Sequence, residues 1–142
     1  MPLPKKNHLI LALLLLTFST GCKKASTETL TEMVSPTSVL QYSGSFTGQG
    51  GQNVTGMAQI YLENNKYVLK LADFKSDNGP DLKVYLSKGI SPEAFISLGD
   101  LKSTNGNQVF EIPGTPDFTQ YRYALIHCEK YNHRYGSAEL AK

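Results

Sequence analysis

One pattern limits the folds open to this chain more than any other: short runs of alternating apolar and polar residues, cut repeatedly by Gly, Pro and Asn clusters. Val54, Gly56, Ala58, Ile60 and Leu62 share one side of such a run. Period two with one apolar side describes a half-buried strand. Glu63-Asn64-Asn65-Lys66 is a tight turn, because Asn tolerates positive φ, and Tyr67 to Phe74 returns with Tyr67, Leu69 and Leu71 on one face. Further strands are expected at Tyr42 to Thr47, Leu82 to Leu86, Phe95 to Leu98, Gln108 to Ile112 and Tyr121 to Cys128. Gly48 to Asn53 reads as a hairpin loop, Leu101 to Asn107 as a loop with a turn at Thr104-Asn105-Gly106, and Thr115-Pro116-Asp117 as another turn. No long 3.6-residue period competes with these signals outside the N-terminal segment. The pattern predicts a single all-β domain over residues 42–142, an antiparallel β-sandwich.

The N-terminus reads as an address. Lys5 and Lys6 precede an apolar run from Leu9 to Phe18, followed by Ser19, Thr20, Gly21 and Cys22. A basic start, an apolar core and a small-residue end describe a secretory signal peptide, here 1–21. The apolar run is about half as long as a bilayer-spanning helix needs. Its end resembles a bacterial lipobox, with Ser19 where the strict pattern prefers Leu. That resemblance implies cleavage before Cys22 and lipidation of its sulfur, with more than one acyl chain for stable anchoring. The implied location is the bacterial cell envelope, anchored to the outer membrane, with the domain outside the cytoplasm. Under ordinary signal cleavage, Cys22 would instead be free to pair with Cys128. Residues 22–41 are Ser/Thr-rich, contain Pro36 and lack apolar periodicity, so they read as a flexible tether with a reach of roughly 25 Å.

Charge excludes one class of partner. Setting aside Lys5 and Lys6, 12 basic side chains face 12 acidic ones. No basic field remains to hold a phosphate backbone, so nucleic acid is not expected.

Candidate chemistry concentrates between Tyr121 and Leu140. This stretch holds Cys128, His127 and His133. Period two puts Tyr121, Tyr123, Leu125 and His127 on one face and Arg122, Ala124, Ile126 and Cys128 on the other. Cys128 therefore points inward, either as a small buried hydrophobe or as a redox thiol or ligand. His127 faces away from it, so the two do not form a nucleophile pair. His133 approaches Cys128 if Glu129 to Asn132 form a hairpin loop. Blue copper needs two His, one Cys and usually an axial Met; Met33 lies in the tether and Met57 near the second strand, His127 faces away from Cys128, and no upstream histidine lies in the domain, so neither copper nor four-ligand zinc is expected. Asp73, Asp77, Asn78 and Asp81 crowd one loop, but their spacing does not match a calcium-binding EF-hand. The sequence requires no cofactor.

Five pieces of the chain are similar to the DM-thirteen domain family, the electron-transfer domain: SGSF at Ser43 to Phe46, VTG at Val54 to Gly56, KLADFKSDNGPDLKVYLSKG at Lys70 to Gly89, YRYALIHCEKYNHRYGSAEL at Tyr121 to Leu140, and its Gly136-Ser137-Ala138 exit. The resemblance implies an extracytoplasmic β-sandwich with a redox role for the late cysteine, here Cys128, as a bare thiol or through a prosthetic group such as haem or a metal. His127 stands where members often have an aromatic, commonly Trp. Gln52-Asn53 stands where some carry His. Two functions follow as expectations. The first is thiol-based electron transfer through Cys128 with an unidentified redox partner. Asp73, Asp81, Tyr121, Tyr123, His127 and His133 would shape that site, with Tyr131 and Tyr135 at its rim. The second is a non-catalytic surface binding or adhesion module with Cys128 inert in the core.

Overall fold

In the computed structural model the described residues are Pro2 and 24–142. The readings of 1–21 as a signal peptide and of Cys22 as a lipidation site lie outside them. Nine strands follow in chain order: β1 (Ser26–Thr31), β2 (Val39–Gly48), β3 (Val54–Glu63), β4 (Lys66–Ser76), β5 (Leu82–Ser87), β6 (Phe95–Asp100), β7 (Ser103–Glu111), β8 (Tyr123–Cys128) and β9 (His133–Glu139). No described residue is helical. The all-β expectation holds.

The sandwich expectation needs correction. The strands form one sheet in the order β1-β7-β4-β3-β2-β9-β8-β5-β6, curled into a half-barrel around its core. β2 makes the curl continuous. Its first part pairs with β3, and Phe46 to Gly48 turn to pair with β9. The sheet is mixed rather than antiparallel, because β1 runs parallel to β7. Every other neighbouring pair is antiparallel.

β1 also corrects the tether reading. Ser26 to Thr31 form an ordered edge strand, and Ala25 before it is buried. The segment carries no apolar alternation because its side chains remain almost wholly exposed; polar bonds hold it instead. Ser103 Oγ donates to the Ser26 carbonyl at 3.0 Å, and Asn105 Nδ2 donates to Thr29 Oγ1 at 2.7 Å. Just past the strand, the Glu32 carboxylate accepts from Lys102 Nζ and from the Val109 amide, both at 2.7 Å. Burial would raise the Glu32 pKa, but these partners outweigh it and hold the carboxyl below its ordinary value.

The same contacts explain why Thr104-Asn105-Gly106 is strand and not turn. Gly106 sits at φ +96°, and a Cβ there would lie 2.2 Å from the Leu30 carbonyl oxygen. Only glycine lets β1 approach this closely.

The β3–β4 hairpin follows from its turn. Asn64 and Asn65 both have positive φ, 48° and 62°, the combination that matches the twist of the flanking strands. Farther along β4, Asp73 adopts φ 47° where the register with β7 shifts between Leu71 and Phe74. This bulge resets the alternation: Leu69, Leu71 and then Phe74 are all fully buried.

The core runs through β3, β4, β5 and β8, with Ile60, Leu69, Leu71, Phe74, Val84, Leu86 and Ile126 fully enclosed. β5 and β8 are buried on their other face as well, where Tyr85, Ser87, Leu125 and His127 lie. Part of that cover is the β5–β6 loop. Ser87 Oγ donates to the Ser91 carbonyl at 3.2 Å, folding the loop back over the sheet.

Candidate functional site

β8 places the candidate residues on two sides of one sheet. Ala124, Ile126 and Cys128 point into the core, all at 0% exposure. Cys128 is a free thiol. Its strand neighbours are Leu82 on β5 and His133 on β9. Glu129 to Asn132 form the intervening turn, with Asn132 at φ 47° and its amide donating to the Glu129 carbonyl at 3.2 Å. Tyr135 packs nearby, 7% exposed. Burial first, and then the charge a Cys128 thiolate would carry, push the Tyr135 phenol above its ordinary pKa. The rings of Tyr135 and His133 meet edge-on at 5.8 Å.

The other expected site residues separate into groups. Asp81 lies beside Cys128 in the fold: its carbonyl accepts from the Glu129 amide at 2.9 Å, and its carboxylate pairs with Lys83 Nζ at 2.8 Å. Asp73 does not belong to this site. It is the exposed bulge residue on β4, its amide donating to Asn107 Oδ1 at 2.8 Å. Tyr123 begins β8 and Cys128 ends it, which puts them about 16 Å apart at strand rise. Tyr121 lies farther still along the chain, beneath Lys88 Nζ at 5.2 Å from its ring centroid. Tyr131 is exposed on the turn. Asp77 is engaged by Asn53, whose backbone amide donates to its carboxylate at 2.8 Å. Among the described residues, no three His, Cys, Asp or Glu side chains form a group suited to a metal. A haem or metal at Cys128 does not fit, because Cys128 is fully buried within the core cluster.

The outer side of β8 and β9 holds what the sequence did not indicate. A pocket of about 500 Å³ opens there, lined by residues of the β2–β3 loop, the β5–β6 loop and the β8–β9 end. His127 and Arg134, cross-strand partners, form part of its lining. His127 is 4% exposed; its Nε2 lies 3.1 Å from Asn132 Oδ1, and Tyr85 is its ring neighbour at 5.6 Å. Burial, the largest influence, holds the His127 imidazole below the ordinary histidine pKa, outweighing the opposing pull of Asn132 and Glu129. Burial also pushes the Tyr85 phenol, which donates to Glu129 Oε2 at 3.2 Å, up to about 12. Because three separate segments build the pocket, no local motif could have announced it.

The fold is an all-β half-barrel with a buried thiol at the end of β8 and a polar pocket on the opposite face of that strand. The sequence model of the family described as "Electron transfer DM13" matches residues 45–140, and the chain belongs to that family. No curated protein matches the chain, and no solved structure does.

Proposed function

We propose that this chain is a lipid-anchored protein of the bacterial cell envelope, held at the outer membrane through Cys22, that serves electron transfer by thiol chemistry at Cys128. Membership in an electron-transfer family supports the redox part. The observation that carries the reading is the position of the thiol. Cys128 is free and buried, and it is the last residue of β8, immediately before the turn to β9. Exchange requires a thiolate to reach a disulfide sulfur, and the closed fold prevents that. Opening the Glu129–Asn132 turn and the adjoining strand ends exposes the sulfur while the rest of the sheet stays paired. The exposed thiol loses its proton to solvent. The thiolate then attacks one sulfur of a partner protein's disulfide. That disulfide breaks, its second sulfur leaves as thiolate, and a mixed disulfide forms. A low-molecular-weight thiol then attacks the Cys128 sulfur and releases the partner with both its thiols reduced; a second such thiol frees Cys128 as the small-molecule disulfide forms, so the electron pair passes from the small thiols to the partner.

A second reading has its own support. Full enclosure among Leu82, Ala124 and Ile126 is what a core cysteine in a non-catalytic surface binding or adhesion module would show.

Alkylation of Cys128 separates the two readings. The full chain in detergent is labelled at rising, sub-denaturing urea, and the Cys128 peptide is followed by mass spectrometry. Labelling through the turn opening gives a rate nearly independent of urea. A rate that tracks global unfolding would exclude the gated thiol and leave Cys128 as core. Cys128→Ala costs about 1–2 kcal/mol of stability in either case, from the lost contacts and the small cavity. Only the first reading also predicts loss of redox exchange.

A further inference from the structure

We propose that the outer face of β8 and β9 binds a small hydroxylated carboxylate, with Arg134 Nε donating to its carboxylate and His127 Nδ1 accepting from its hydroxyl. The argument starts from two buried atoms without partners. His127 Nδ1 and Arg134 Nε are both shielded from solvent and make no hydrogen bond within the protein. Both residues line the same pocket, side by side in the cross-strand register. Leaving one buried polar group unmatched is costly; two on one pocket mark a place where a ligand completes the bonding.

Each side chain is already partly committed, which narrows what remains on offer. Arg134 Nη1 donates to the Ile90 carbonyl and Nη2 to Gln49 Oε1. These clamp the guanidinium between the two loops with neutral partners; among the described residues no carboxylate pairs with its charge, and Nε–H is its buried donor without a partner. His127 directs Nε2 at Asn132 Oδ1, an acceptor, so Nε2 carries the proton. The neutral ring then presents a lone pair at Nδ1. A fixed cationic donor beside a neutral acceptor suits an anionic oxygen next to a hydroxyl. A plain carboxylate offers no hydrogen to Nδ1, and a neutral sugar leaves the arginine charge unmatched.

The walls agree with a polar ligand of modest size. Glu93 lines the pocket and can accept from a further hydroxyl. His133 forms another wall against Gly50, where a Cβ would lie 2.5 Å from the imidazole Cε1. The volume, about 500 Å³, falls within the range that holds small molecules. The site is separate from the thiol, since His127 and Cys128 face opposite sides of β8, so neither proposal depends on the other.

Gluconate is the probe, with glucose and acetate as the two incomplete comparisons. Imidazole nitrogen NMR of the full chain in detergent reads His127 directly. Gluconate should shift the Nδ1 resonance saturably, and both comparisons should bind at least about tenfold more weakly. Affinity for gluconate should fall as the pH is lowered and His127 takes up a proton, because Nδ1 then stops accepting. Arg134→Lys, checked for a native amide spectrum, should weaken gluconate binding by about tenfold. No saturable shift would overturn the proposal. So would acetate or glucose binding as tightly as gluconate, or gluconate affinity that rises on acidification, which is the mark of a carboxylate bound between two cations. These ligand comparisons in the unaltered chain decide the matter even if the Arg134 variant does not fold.

Discussion

His127 ties stability to pH with a definite sign. Burial holds its imidazole below the ordinary value, against the pull of Asn132 and Glu129 and together with the repulsion of His133 and Arg134. Above about pH 6.5 the ring is neutral both folded and unfolded, and its contribution is constant. As the pH falls below that value, the unfolded chain takes up the proton first. Stability is therefore lost until the folded ring also protonates, and the loss then levels off. Urea midpoints measured from about pH 7.5 down to about pH 5 should decline, with a slope from this residue of no more than about 1.4 kcal/mol per pH unit. His127→Gln should flatten that part of the decline. Equal slopes in the two proteins would show that His127 does not titrate differently on folding. Lys83 behaves in the opposite sense. Its Nζ donates to the carboxylates of Asp100 and Asp81, and these bonds raise its pKa, so it remains charged throughout this range.

At the scale of elements, β1 is the instructive strand. It was illegible in the sequence because legibility there depends on apolar alternation, and an edge strand exposed along nearly its whole length has none. Its pairing is written in β7 instead, in Ser103, Asn105 and Gly106, which read locally as a turn. β3 and β4 were legible for the converse reason: each buries mainly one side, so Ile60 and Leu69 declare their phase. The inward direction of Cys128 follows from Ala124 and Ile126 in the same way. The bulge at Asp73 was not visible, because one residue of positive φ shifts the phase without changing the composition. Gly106 supplies the test for β1. Gly106→Ala places a side chain at φ +96° against the Leu30 backbone, costing about 1–3 kcal/mol. Amides of Ser26 to Thr31 should exchange faster with solvent while those of β5 and β8 remain protected. Unchanged protection of β1 would mean that the close approach at Gly106 does not hold the strand.

Across the whole molecule, the half-barrel divides its chemistry between two sides of β8. The thiol lies within, fully buried at the end of β8. The pocket lies outside, roofed by the β5–β6 loop. The sequence could disclose the first because one cysteine and one alternation suffice. It could not disclose the second, because Gln49, Glu93 and Arg134 come together only when two loops and the start of β9 are brought to the same sheet face. The proposed anchor acts at this scale too. Moving the domain relative to the lipid should leave both local sites intact, so ligand binding and Cys128 labelling should be the same in detergent and in lipid vesicles.

The early start of β1 has a mechanical consequence. Only Lys23, Lys24 and Ala25 separate Cys22 from Ser26, a span of about 10 Å at full extension, and Ala25 is already buried with its carbonyl accepting from Asn78 Nδ2 at 3.1 Å. With Cys22 as the lipid anchor, the domain is moored rather than tethered. It can slide with the lipid but has little freedom to swing or turn over, so it presents nearly one orientation to whatever passes. Encounters become a search in two dimensions, and the half-barrel edge next to Ala25 is screened from large partners by the membrane itself. A flexible spacer of about ten residues inserted after Lys24 would restore reorientation. Fluorescence depolarisation on vesicles should show the native chain turning with the bilayer and the lengthened chain turning faster; equal rates would mean that the short mooring imposes no constraint.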